Sequence, residues 1–156
     1  MTHHSTTRVL VDDSYATLVG KAVYLFAYYE WTIIYVIEHL QNGFVQKYSR
    51  GSPMTSAAVR DALQKTVSNP CVSFARVPRA ELQACCEEFE RLIVKRNALI
   101  HAHPVTDSDR SQILAYQTKT TKSLPDMTWS RTELETIIQA FDAAACRAGV
   151  ILDRLR

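Results

Sequence analysis

Three residues near the middle of the chain have types and spacing suited to chemistry on a phosphate: Arg96, Asn97 and His101, in the run Arg-Asn-x-x-x-His. A guanidinium presents a fork that binds phosphate or carboxylate and offsets negative charge growing in a reaction. An imidazole gives or takes a proton near neutral pH. A carboxamide can position either partner. A second histidine, His103, follows two residues on and is the alternative proton carrier. One His and one Arg make half a site, because displacement at phosphorus needs both a base and an acid. A two-fold dimer would supply the second set.

The carboxamide gives this run its specificity. With 12 Arg and 5 His in the chain, an Arg followed four to six places later by His arises about once by chance. Requiring Asn directly after the Arg lowers that expectation to roughly 0.01.

Helices must position these residues. A long helix is expected from Asp13 or Ser14, either of which can cap it. Its stripe runs Val19, Val23, Phe26, Glu30, Ile33, Ile37, Leu40, in steps of four and three that keep one face. Asn42-Gly43 stops it. A polar segment punctuated by Gly51-Ser52-Pro53 leads to a shorter helix at about 55–67, with Ala58, Ala62 or Leu63, and Thr66 inward. The next helix starts near Pro78, carries Leu82, Cys86, Phe89, Ile93, Arg96, Ile100 and His103 on one stripe, and is closed by Pro104. Residues 106–129 lack helical periodicity and predict a small hairpin or an ordered loop. Ser130-x-x-Glu133 is a capping box opening the last helix, with Leu134, Ile138, Phe141, Ala145, Ala148, Leu152 and Leu155 inward. The expected fold is all-α, an antiparallel four-helix-type bundle. Residues 1–12 are expected to be a flexible arm and 13–156 a single domain.

Two of these stripes are interrupted by a charge, Glu30 on the first helix and Arg96 on the third. A lone buried charge costs several kcal/mol, so the two are expected to pair across the core. His101 lies about 140° around the helix from Arg96 but only about 40° from Asn97. Asn97 and His101 therefore share a face beside that of Arg96.

The Arg96-Asn97-x-x-x-His101 run, near the C-terminal end of a long amphipathic helix in a short helical chain, resembles the catalytic signature of the HEPN superfamily of RNA-cutting proteins. The resemblance implies a metal-independent endoribonuclease, with toxin or defence effector as the role it suggests. Its site would form in a homodimer from two copies of Arg96, Asn97 and His101, and RNA would be cut through attack by its own 2′-hydroxyl. His103 fits the family's looser spacing as Arg-x6-His, and Glu30 would support Arg96. Arg91, Lys95, Arg110, Lys119 and Lys122 are nearby cations expected to hold the RNA backbone. An antitoxin or regulatory protein is a further implied partner. The competing reading is a catalytically silent HEPN-like module that binds RNA, a nucleotide or a protein. A purely structural helical dimer is the third.

Composition narrows the field. A hydrophobic share of 47% suits one globular core, and a net charge of +2 advertises no nucleic-acid binder by bulk charge. The four cysteines, Cys71, Cys85, Cys86 and Cys146, form neither a CxxC pair nor a disulfide framework, which points to a reducing cytoplasm. The vicinal Cys85 and Cys86 are expected to be packing residues. His101 and His103 lie roughly 22 Å along the helix from them, so no shared metal is expected. No cofactor is implied. The most apolar stretch, 22–37, is short of a membrane span and carries Glu30, so no membrane partner is expected.

Overall fold

The structure, a computed structural model, describes residues 11–51, 54–118 and 126–156. It is mostly helical. Among the described residues α1 is Asp13–Leu40, α2 Phe44–Arg50, α3 Ser56–Ser68, α4 Arg79–Ile100 and α5 Arg131–Leu155. Three strands, β1 His103–Thr106, β2 Gln112–Tyr116 and β3 Met127–Trp129, lie between α4 and α5.

α1 packs along α5 and against α3, and α4 packs against α3 and α5. α1 and α4 therefore face each other across the core, where Phe26 stacks on Phe89 at 6.1 Å and Tyr29 meets Phe89 edge-on at 5.4 Å. The stripes are close to those expected, with three shifts. Tyr15, Ala22 and Tyr29 are buried on α1 while Val23 is 38% exposed. On α4 the stripe ends on Leu99, and Ile100 turns outward. On α5 Ile137 is buried, while Ile138, expected inward, is half-buried against the same core.

The caps explain the boundaries. Asp12, rather than Asp13 or Ser14, caps α1: its carboxylate accepts from the Tyr15 amide at 2.9 Å, and Ser14 Oγ and Arg131 donate to it as well. Ser130 caps α5 by accepting from the Glu133 amide at 3.2 Å, as the capping box predicts. The polar segment after α1 is a helix, α2, where none was expected. Its first amides are satisfied from α1: Glu38 accepts from Gly43 N at 3.0 Å and Val45 N at 2.7 Å. Those bonds hold the Glu38 carboxyl below its usual range. Gly43 takes φ 92°, the left-handed turn that lets α2 double back.

The expected hairpin is a three-stranded antiparallel sheet in the order β1-β2-β3. It starts earlier than expected, at His103, with Pro104 opposite Leu114. Proline lacks the amide a helix needs but is tolerated on an edge strand, which β1 is. The sheet sits at one end of the helices and is fastened to two of them. Tyr15 Oη of α1 donates to the Trp129 carbonyl at 2.6 Å and accepts from Leu114 N at 2.9 Å. Trp129 Nε1 donates to the Ala98 carbonyl, in the last turn of α4, at 3.2 Å. That contact fixes the end of α4 from which His101 projects. Among the described residues, no helix is long and apolar enough to cross a membrane.

Candidate functional site

Arg96 points from α4 into the space between α1 and α3. One terminal nitrogen, Nη1, donates to Asn97 Oδ1 at 2.9 Å, and the other, Nη2, donates to Ser56 Oγ at the start of α3. The guanidinium lies 5.1 Å from the centre of the Phe26 ring, a cation–π distance. Glu30 Oε1 stands 4.0 Å from Nη2. This is the expected charge pair at ion-pair range but beyond hydrogen-bond length. Both side chains are mostly covered, Arg96 at 26% exposure and Glu30 at 16%. Glu30 Oε1 is buried and has no hydrogen-bond partner among the described residues.

The histidines fall elsewhere. His101 is the C-cap of α4; its amide donates to the Asn97 carbonyl at 3.0 Å, so its side chain leaves one turn beyond Asn97, on the exposed side. His103 is not on the helical stripe where periodicity places it. The helix ends at Ile100, and His103 opens β1, exposed, opposite Ala115. Asn97 thus links the two parts of the motif: its side chain holds Arg96 and its carbonyl holds the His101 amide.

The cations expected to hold RNA scatter. Arg91 and Lys95 are one turn apart on α4 and line a small cleft with Trp129, Glu133, Ile137 and Ala140, on the α5 side. At about 100° per residue Lys95 stands about 160° around α4 from Asn97 and about 120° from His101, and Arg91 about 120° and about 80°. Arg110 sits at the tip of the β1–β2 turn in a left-handed conformation, φ 68°. Lys119 and Lys122 lie outside the described residues. One copy of the chain therefore gathers Arg96, Asn97, Glu30 and Ser56, with the exposed His101 one turn beyond Asn97, but not the other cations.

Ser56 was not signalled by the sequence. It is 4% exposed and forty positions from its partner, with no local pattern to mark it. Cys85 and Cys86 are buried, and burial pushes their thiols up to about 12 and about 11. Both are packing thiols, as expected, rather than nucleophiles. No group of three or more potential metal ligands lies together among the described residues.

No protein-family model matches the chain, no curated protein matches it and no solved structure matches it.

Proposed function

We propose that the chain is a metal-independent endoribonuclease of HEPN type, with a bundle of α1, α3, α4 and α5 as its scaffold and RNA as its substrate. The observation carrying this reading is the end of α4. An anchored guanidinium with about a quarter of its surface open, a carboxamide bonded to it and an exposed imidazole follow one another within six residues. Arg96 binds the scissile phosphate and offsets its growing charge. His101 moves the proton between the RNA 2′-hydroxyl and solvent or leaving group. The bond from the 2′-oxygen to phosphorus forms as the 5′-oxygen bond breaks, leaving a 2′,3′-cyclic phosphate and a 5′-hydroxyl. The second acid–base set comes from another copy meeting the first at the α4 ends, where Val94 and Ile100 are 63% and 47% exposed beside Asn97 and His101. His103, two residues on at the start of β1, is the alternative proton carrier. A cytoplasmic role as toxin or defence effector, with an antitoxin or regulatory partner, fits this activity.

One observation favours the silent module. The guanidinium that should meet phosphate is already engaged by Ser56, Asn97, Glu30 and the Phe26 ring. Incubating mixed RNA with the purified chain in EDTA separates the two. Cleavage to cyclic-phosphate ends is expected, with His101→Ala slower by about 10²–10⁴-fold. A 2′-deoxy nucleotide at the cut position should block the reaction. Full activity in His101→Ala with loss in His103→Ala transfers the role to His103. No cleavage, or cleavage only with added metal, rejects the ribonuclease and leaves the binding module.

A further inference from the structure

α1 carries a second exposed row that the site does not use. Lys21, Tyr24, Tyr28, Trp31 and Tyr35 follow one another at spacings of three and four, on the side of α1 turned away from Glu30 and the core. The aromatic members are 72%, 60%, 43% and 43% exposed. Beside them runs a row of small exposed residues, Ala16, Gly20 and Ala27, and a Cβ added at Gly20 would meet nothing within 4 Å. Glu30 is the one acid between positions 16 and 35, and it turns inward.

We infer that this face binds a second copy of the chain, with the two α1 helices antiparallel about a two-fold axis near Tyr28. The row is close to a palindrome around that residue. Lys21 stands seven positions before Tyr28 and Tyr35 seven after; Tyr24 stands four before and Trp31 three after. Reversing the helix end for end therefore places Lys21 over the second copy's Tyr35, a cation against a ring face. Tyr24 meets the second copy's Trp31. The ridge of rings on one helix enters the groove over Ala16, Gly20 and Ala27 on the other, the ridges-into-grooves packing of close helices. A two-fold contact needs such a self-complementary patch, and this face has one. Its four rings expose roughly 400 Å², about half of one side of a standard interface. The flanking small residues, Val23 and α2 extend it, with Tyr48 of α2 already 5.6 Å from Trp31.

The contact is separate from the α4 pairing of the proposed ribonuclease. The aromatic row and the Asn97–His101 side are outward faces of helices that oppose each other across the core. The inference stands without the RNA reading, and its test contains no RNA. In sedimentation at about 1–100 μM, the full chain carrying Val94→Glu, which blocks the α4 contact, is expected to be dimeric. Tyr28→Glu is expected to weaken association at least 100-fold with unchanged circular dichroism, since Tyr28 supports no core contact. Val94→Glu is expected to leave this dimer intact. Trp31 and Trp129 are the two tryptophans, and Trp129 is buried, so the emission shift on dissociation reports Trp31. In a Cys71→Ser, Cys146→Ser background, Tyr28→Cys should oxidise to a covalent dimer and Val150→Cys, exposed on α5 outside both contacts, should not. A monomer at 100 μM overturns the inference. So does a Val94→Glu dimer that also survives Tyr28→Glu, or a parent assembly that Val94→Glu alone reduces to monomer.

Discussion

The two tyrosines that α1 buries at Tyr15 and Tyr29 are treated in opposite ways. Tyr15, at the sheet end, uses its hydroxyl twice, donating to the Trp129 carbonyl and accepting from the Leu114 amide. Tyr29, in the middle of the helix, is fully buried, and its hydroxyl has no hydrogen-bond partner among the described residues. Glu30 Oε1, on the next residue, shares that state. Buried polar atoms without partners cost about 1–3 kcal/mol each, so the middle of α1 carries a penalty that its sheet end does not. At the sheet end the polar group completes a backbone ladder that would otherwise be open. In the middle the polar atoms serve no backbone need, and Glu30 reaches Arg96 only at 4.0 Å. Sequences that satisfy local rules elsewhere tend to break them where function competes with stability. Glu30, beside the candidate site, is such a break; nothing in the structure explains the hydroxyl of Tyr29.

Removing the well-used hydroxyl should have the larger effect. Tyr15→Phe orphans the Leu114 amide and the Trp129 carbonyl together and should cost about 2 kcal/mol, read as a lower urea midpoint. Because the sheet then loses its tie to α1, amide exchange at Leu114 should rise more than exchange within α3. A loss under about 0.5 kcal/mol would mean that water replaces the hydroxyl, and the contrast between the two tyrosines would disappear.

Tyr29→Phe should act in the opposite direction and more weakly. It deletes a hydroxyl that burial pushes far above its usual ionisation range, while keeping the ring against Phe26 and Phe89. Stability should be unchanged or rise by up to about 1 kcal/mol. A clear loss of stability would reveal a partner for the hydroxyl and would remove the penalty assigned to the middle of α1.

The same contrast marks what the sequence could disclose. Ser130-x-x-Glu133 is a local rule, and the α5 start falls where it says. The stripe of α4 was readable because burial repeats with the helix turn, and so was the pairing of Glu30 with Arg96, since two isolated charges on facing stripes have few alternatives. The end of that stripe was not readable. Periodicity carries His103 onto the helix, but Pro104 and the register with β2 draw it into a strand. α2 is seven residues long and takes its cap from Glu38 on another helix, so no local signal announces it. Ser56 and Tyr15 meet their partners across 40 and 114 positions, distances over which residue type says nothing about proximity. The motif itself was legible as letters. Which of its side chains turns inward depended on where α4 stops.

The smallest expected effect sharpens the well-satisfied end of α1 further. Asp12 caps the helix and receives the Ser14 hydroxyl, the Tyr15 amide and the Arg131 guanidinium. The Ser14 hydrogen bond first, then the Tyr15 amide and Arg131, hold its carboxyl well below the usual 3.8. A carboxyl depressed on folding contributes stability above its unfolded value, and that stability is lost as pH falls through the folded one. Stability at neutral pH should therefore exceed that of Asp12→Asn, and the gap should close as the solution is acidified below about pH 4. The Asp12–Arg131 pair is a surface one, with both side chains exposed, so salt should also narrow the gap. Asparagine still caps a helix but carries no charge. The difference thus isolates the charged part of the cap. A gap of equal size at neutral and acidic pH would assign the cap to geometry alone.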